Sequence, residues 1–165
     1  MKWIYAILFI LFLPCFSNAS LNRESVVFEK VGAAIKNKNS VNISDDEYDD
    51  VSRYMSEGGN RWVDLYPELK KEPFLGVASF QEGLDISMAY ALSKNPSEVL
   101  KFVDKSNVEL ICGVPFIEPT QDEINEYYLK ARLAILAVRT ASFWKDKCLF
   151  TLDKVMAGEA ILGRK

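Results

Sequence analysis

TQDEINEYYLKARLAILAVRTASFWK, residues 120–145, is the longest stretch of the chain with a helical pattern. Its apolar side chains recur at steps of three and four residues, which places them on one face of an α-helix. Thr120 and Glu123 match the capping box, in which a hydroxyl and a carboxylate satisfy free amides at a helix start. The pattern predicts one helix over 121–145, and the nearly continuous apolar run at 133–138 predicts that this helix lies centrally in the core.

The same helical spacing continues through most of the chain, and two further capping boxes occur at Ser44 and Ser79. A strand is an alternative only at 108–114. The pattern predicts an all-α fold, a compact multi-helix domain of antiparallel helix pairs, with a short solenoid-like array as an alternative packing. The remaining predicted helices cover residues 22–36, 45–57, 79–92, 96–103 and 149–160, with helical turns within 60–78.

The composition is that of one globular domain and excludes several classes of enzyme. The chain has 165 residues, 49% of them hydrophobic, and a formal net charge of −3. It contains no histidine, which excludes a Ser–His–Asp triad, a Cys–His pair and a His-ligated zinc. We therefore predict a protein that is not an enzyme and that needs no cofactor or metal. A carboxylate-based cell-wall hydrolase is the enzymatic alternative, since 23 acidic residues place some pair within reach.

The first 19 residues have the three-part pattern of a secretory signal peptide. Lys2 is followed by an apolar run at 3–13 and by a small-residue cleavage site that ends at Ala19. The run is shorter than the roughly 20 residues that a membrane-spanning helix needs. We expect cleavage after Ala19 and a periplasmic protein without stable membrane insertion. A lipoprotein acylated at Cys15 is the alternative.

Cleavage would leave residues 20–165 as a single helical domain with two cysteines, Cys112 and Cys148. An even number of cysteines in an exported protein predicts one disulfide bond, with two buried free thiols as the alternative. The acidic net charge lacks the basic footprint of nucleic-acid binding, so we expect no nucleic-acid partner.

The most unusual local feature is a run of acidic residues at the predicted start of the second helix. Its members are Asp45, Asp46, Glu47, Asp49 and Asp50. Carboxylates in a first helical turn are favoured by the macrodipole, but Asp49 and Asp50 lie beyond that turn. We predict a surface that attracts a basic partner, with Tyr48, Tyr54 and Tyr66 as aromatic anchors. A solvated helix start and a calcium site are the alternatives, although the alternating spacing of a calcium loop is absent.

Three segments carry a resemblance to known proteins. They are WVDLYPEL at 62–69, AYALSKNPSEVL at 89–100 and ICGVPFIE at 111–118. Through them, residues 50–148 resemble small exported helical proteins of proteobacteria. In size, acidity and expected compartment the chain is also similar to periplasmic immunity proteins of type VI secretion effectors. The resemblance implies an exported helical domain and supplies no catalytic residue.

These observations together lead us to expect a periplasmic binding protein. It would neutralise a secreted effector toxin or an envelope enzyme by protein–protein contact, and a basic toxin is the partner that its acidic surface favours. The oligomeric state stays open. The alternative is a structural or accessory envelope factor, either a scaffold or a carrier of a small apolar ligand between Leu84, Met88, Ile135 and Val138.

Overall fold

The computed structural model describes residues 16–140 and 142–158, so most of the expected signal peptide, including Cys15, lies outside the described residues. Every regular element in these two ranges is helical, and the predicted all-α class is confirmed. The helices are α1 (Phe16–Asn37), α2 (Asp45–Ser56), α3 (Asn60–Val63), α4 (Tyr66–Leu69), α5 (Ala78–Leu92), α6 (Pro96–Val99), α7 (Val108–Ile111), α8 (Gln121–Ala137) and α9 (Phe143–Met156). Residues 108–111, where a strand was the alternative, are helical.

Two of the three predicted capping boxes are confirmed. Glu47 accepts a hydrogen bond from the Ser44 amide at 2.9 Å, and Glu123 accepts one from the Thr120 amide at 2.8 Å. The box predicted at Ser79 is wrong, because α5 begins at Ala78 and Ser79 already lies inside its first turn. A turn that joins the amide of Val77 to the carbonyl of Phe74 leads the chain into the helix earlier than the motif indicates.

The central helix is α5, which packs against α2, α6, α7 and α8. Its buried residues are Phe80, Leu84, Asp85, Ser87, Met88, Ala89, Ala91 and Leu92. The small side chains at 87, 89 and 91 let neighbouring helices approach closely. The central position predicted for 121–145 is wrong, because α8 buries only one face and turns Leu129, Leu133 and Leu136 outward, with Leu133 67% exposed.

The predicted helix over 121–145 is also divided in two. The α-helical backbone ends at Ala137, and Ser142 starts α9 by accepting a hydrogen bond from the Lys145 amide at 3.1 Å. The Lys145 ammonium then donates to the carbonyl of Val138 at 2.6 Å, near the carbonyl end of α8. The helical spacing of apolar residues continues across this break, which is why the pattern alone predicted one helix.

The two helices form an antiparallel hairpin. Tyr128 and Arg132 of α8 both donate to Asp153 of α9, at 2.8 and 3.1 Å. The buried face of α9, which includes Cys148 and Leu152, points toward the core.

The predicted disulfide between Cys112 and Cys148 is confirmed, with Cα atoms 5.0 Å apart and both side chains fully buried. It joins the end of α7 to the middle of α9 across a sequence separation of 36 residues. The cross-link therefore holds the turn that precedes α8 against the last helix.

We expect the double substitution Cys112→Ala and Cys148→Ala to lower the free energy of unfolding by about 2–4 kcal/mol, because the unfolded chain regains the entropy of an open loop. Urea denaturation followed by circular dichroism measures the change. A reducing agent should produce a similar loss in the native protein and none in the double variant. Equal stability of the native and double-variant proteins would contradict the prediction.

Candidate functional site

The acidic residues at the start of α2 divide into two groups. Asp45, Asp46 and Asp49 are exposed, and none of them forms an ion pair with another described residue. Glu47 and Asp50 instead bind cations from α1 and α2. Only the first group remains free to attract a partner.

Asp50 is 8% exposed and fastens α1 to α2. Its two carboxylate oxygens accept hydrogen bonds from Arg23 of α1 at 2.6 Å and from Arg53 of α2 at 2.7 Å. Burial by itself raises the pKa of Asp50, but the bonds from Arg53 and Arg23 outweigh it and leave the pKa below its ordinary value. The charged form is therefore favoured in the folded protein.

Glu47 makes a second link between the same helices. Both of its oxygens accept from Lys30 of α1, at 2.7 and 2.8 Å, and one also accepts from the Ser44 amide. The Lys30 bond, followed by the Ser44 bond, lowers the pKa of Glu47. Glu47 and Asp50 thus hold two helices together, and the calcium alternative loses two of its candidate ligands to ion pairs.

The three tyrosines predicted as anchors pack against aromatic side chains of the protein, and two of them are buried. Tyr54 stacks on Trp62 with ring centroids 5.1 Å apart and is 5% exposed. Tyr48 is half-buried against Phe80. Tyr66 is also 5% exposed, so a partner that approaches this conformation reaches neither the Tyr54 nor the Tyr66 ring.

The Tyr66 hydroxyl is bonded to Asp85, which lines a cleft of about 460 Å³ between Lys70 at the end of α4, helices α5 and α7, and the loop at 112–118. Its volume is within the range of about 300–1,000 Å³ that is usual for ligand sites. The lining residues are Lys70, Gln81, Glu82, Asp85, Ile86, Glu109, Leu110, Val114, Pro115, Phe116 and Ile117.

Two lining residues of the cleft, Lys70 and Asp85, belong to a hydrogen-bonded network that continues into the core, and we call this network the floor of the cleft. The Tyr66 hydroxyl donates to Asp85 at 2.5 Å, and the Lys70 ammonium donates to the other Asp85 oxygen at 3.1 Å. Asn107 donates to the Tyr66 hydroxyl at 3.3 Å and to the Phe102 carbonyl at 2.9 Å. Burial, followed by the bond to Asp85, raises the pKa of Tyr66 well above its ordinary value, so the phenol keeps its proton.

The loop at 112–118 forms one wall and is held at two points. Cys112 is anchored by the disulfide, and the Phe116 ring packs edge-on against Tyr90 and Tyr127, each with centroids 5.8 Å away. The Tyr127 hydroxyl donates to the Ala89 carbonyl at 2.7 Å, which fixes this aromatic support on α5. The wall is therefore formed before any ligand arrives.

The rim of the cleft combines exposed apolar side chains with free negative charge. Ile117 is 85% exposed and Leu110 is 56% exposed. Glu82 and Glu109 are exposed and form no ion pair within the described ranges. One lysine thus faces three carboxylates in the cleft, and the balance is negative.

Sequence reasoning did not identify this cleft, although two signals pointed to it. Asp85 is an acidic residue directly after Leu84 on an apolar helix, where a carboxylate needs partners. Two of the segments that carry the resemblance also meet here, since 62–69 supplies Tyr66 and 111–118 supplies the wall. Neither signal reveals which residues come together.

Comparison of the chain with protein-family models, with curated proteins and with solved structures found no match. Among the described helices, none is both long enough and apolar enough to cross a membrane. Nowhere in residues 16–140 and 142–158 do three acidic or cysteine side chains converge as ligands of a metal ion.

We expect Tyr66→Phe to lower the free energy of unfolding by about 1–2 kcal/mol, because Asp85 loses a buried hydrogen-bond donor. Tyr128→Phe is the matched control, since its hydroxyl donates to Asp153 at an exposed position and its loss should cost less than about 0.5 kcal/mol. Urea denaturation of both variants measures the difference. Equal losses in the two variants would show that Asp85 does not depend on Tyr66.

We expect Asp50→Asn to lower the free energy of unfolding at pH 7 by about 1–2 kcal/mol, a range reduced from that of a buried pair because both guanidinium groups are about half exposed. Asp49→Asn, at an exposed neighbour, is the control and should change little.

The effect of Asp50→Asn on the free energy of unfolding also depends on pH in a defined way. Because the folded pKa of Asp50 is lowered, its stabilisation is complete above the unfolded pKa of about 3.9 and is lost as pH falls through the folded pKa. The stability difference between the native protein and Asp50→Asn should therefore shrink as pH falls below about 5. A difference that stays constant down to pH 2 would contradict this linkage.

Proposed function

We propose that this protein is a non-enzymatic binding protein of the periplasm that neutralises a secreted toxin or an envelope enzyme by direct contact, as an immunity or inhibitor protein does. The observation that carries the proposal is the cleft, with its apolar rim and its excess of carboxylates. We assign the partner-binding role to this cleft, and we propose that it receives a segment of the partner that carries a lysine or arginine beside an apolar side chain.

The chemistry of the rim supports this choice of partner. Leu110 and Ile117 expose apolar surface that is stabilised when water is removed from it. Glu82 and Glu109 have unused acceptor oxygens, and Lys70 is already bound to Asp85. A cationic side chain would therefore meet two free carboxylates at the edge of an apolar groove, and its hydrogen bonds to them would be charge-assisted.

The properties of the floor favour binding over turnover. Tyr66 keeps its proton, Lys70 is held as an ion pair, and Asp85 is saturated by both of them. A general base or nucleophile needs a free lone pair within reach of substrate. The Lys70 ammonium has none, and the oxygens of Asp85 and Tyr66 already accept hydrogen bonds within the network. We accordingly expect purified protein to leave isolated cell wall intact in a turbidity assay.

The exposed carboxylates of Asp45, Asp46 and Asp49 supply a second acidic surface on α2. We propose that they increase the rate of encounter with a basic partner by long-range attraction, while the cleft determines affinity. None of these three residues lines the cleft, so substitutions on the two acidic surfaces can be compared separately.

A second candidate function is carriage of a small apolar molecule, and the volume of the cleft is the observation that favours it. The pocket expected for such a ligand does not lie between Leu84, Met88 and Ile135, because all three are fully buried in the hydrophobic core. A carrier would have to use the cleft itself. Its free carboxylates favour a cationic ligand over a neutral one.

The test uses two variants that change acidity on different surfaces. Affinity purification from periplasm mixed with secreted proteins identifies a partner, and calorimetry with that purified partner measures its affinity. We expect Glu82→Lys with Glu109→Lys to weaken binding at least tenfold and to abolish inhibition of the partner's activity. The triple variant Asp45→Asn, Asp46→Asn and Asp49→Asn should keep the affinity within about threefold.

Weakened binding by the triple α2 variant, together with unchanged binding by Glu82→Lys with Glu109→Lys, would place the binding site on α2 and contradict the cleft assignment. A partner whose activity is unchanged by saturating native protein would contradict the inhibitory role itself. All five substituted residues are exposed and make no ion pair with the described chain, so every variant should remain folded. Thermal unfolding should show only a small loss in the triple variant, which removes first-turn carboxylates at Asp45 and Asp46.

A further inference from the structure

The outward face of α9 carries aromatic and basic side chains in alternation. Phe143, Lys147, Phe150 and Lys154 follow each other at steps of four, three and four residues, so they lie along one face of the helix. We call these four residues the Phe–Lys stripe. It lies away from the buried face of α9, which is formed by Cys148, Thr151, Leu152 and Val155.

The two phenylalanine rings of the stripe are exposed to solvent. Phe143 is 64% exposed and Phe150 is 55% exposed. The Lys147 ammonium lies 5.5 Å from the Phe143 centroid and 5.8 Å from the Phe150 centroid, and the Lys154 ammonium lies 5.2 Å from Phe150. Cations thus lie beside both rings, within the distance of a cation–π contact.

The neighbouring helix adds a second apolar row. Leu129, Leu133 and Leu136 lie on the side of α8 that points away from the core, at steps of four and three residues. Since α8 and α9 form one hairpin, the outer side of this hairpin exposes five large apolar side chains. An exposed apolar surface of this kind marks an interaction site.

We propose that the outer face of the α8–α9 hairpin adsorbs to the surface of an anionic lipid bilayer. The phenylalanine rings would enter the headgroup region, and Lys147 and Lys154 would bind lipid phosphates. Amphipathic helices that lie in the membrane interface combine apolar side chains with lysines in this way. The adsorption is peripheral and independent of the cleft, because no residue of the stripe lines it.

The charges on the stripe favour a lipid surface over a second copy of the chain. A two-fold dimer through this face would bring each pair of lysines against its equivalent and add repulsion. Asp146 is the one carboxylate that lines the shallow depression between the two rings, and it leaves a local charge of about +1 when Lys147 and Lys154 are counted together with it. The negative charge of the rest of the protein is screened beyond about 8 Å at physiological ionic strength.

Co-sedimentation with vesicles tests the proposal. The protein is purified after expression of the full chain, and its N-terminal residue is determined, so that every variant is compared with the same N-terminus. The probes are vesicles with 30% phosphatidylglycerol in phosphatidylcholine, and vesicles of phosphatidylcholine alone. We expect binding to the anionic vesicles, little binding to the neutral ones, and a loss of binding at 0.5 M salt.

Two stripe variants and one matched control separate the contributions. Phe143→Ala with Phe150→Ala removes the rings, and Lys147→Glu with Lys154→Glu reverses the charges, and each should reduce the bound fraction at least fivefold. Lys71→Glu with Lys105→Glu makes the same change in net charge at two other exposed lysines and should leave binding unchanged. Circular dichroism confirms that each variant is folded.

Three outcomes would overturn the proposal. They are absence of binding to anionic vesicles, equal binding by the native and stripe-variant proteins, and equal loss in the Lys71 and Lys105 control. Light scattering measures the oligomeric state of the same proteins. If the native protein is a dimer that does not bind lipid, and Phe143→Ala with Phe150→Ala makes it monomeric, the face serves self-association and the proposal is wrong. None of these outcomes affects the cleft, whose test measures a protein partner.

Discussion

Asp85 is a carboxylate on the central helix, and a buried carboxylate is costly unless its oxygens keep their hydrogen bonds. Tyr66 and Lys70 supply those bonds from the segment around α4, and Asn107 holds the Tyr66 hydroxyl in place. Two separate parts of the chain, the segment around α4 and the segment at Asn107, must therefore meet beside α5. The floor of the cleft is the direct result of this requirement.

The wall of the cleft depends on covalent and aromatic contacts instead. Cys112 is bonded to α9, and Phe116 packs on Tyr90 of α5 and Tyr127 of α8, so the loop is supported from three neighbouring helices. Ile117, next to Phe116 in this loop, is exposed. A site that is formed in advance loses less conformational entropy on binding.

The surface of the protein has acidic regions and a region that is basic and aromatic. Carboxylates are in excess at the cleft and at the start of α2, whereas the outer face of α9 alternates phenylalanine with lysine. The basic region shares no residue with the acidic ones, so a protein partner and a lipid surface could be bound together. Under our two proposals, the inhibitor would act close to the membrane across which secreted toxins reach the envelope.

For the acidic run at 45–50, the sequence revealed the charges but not which of them are free to bind a partner. Composition revealed five carboxylates, but their roles depend on Arg23 and Lys30, which lie 27 and 17 residues from the acids they bind. The same holds for Tyr54 and Tyr66, whose aromatic character was evident while their burial was not. Which charged or aromatic residue is free to bind is a property of packing between distant segments.

The helices were predictable because helix formation depends on contacts between residues three or four positions apart. The capping boxes that begin at Ser44 and Thr120 likewise lie within four consecutive residues. The disulfide followed from the number of cysteines and the expected compartment. The break at Ser142, the central position of α5 and the cleft were decided by the tertiary structure. Each depends on how one helix covers another, and side-chain periodicity describes a single helix without saying which of its apolar faces finds a partner.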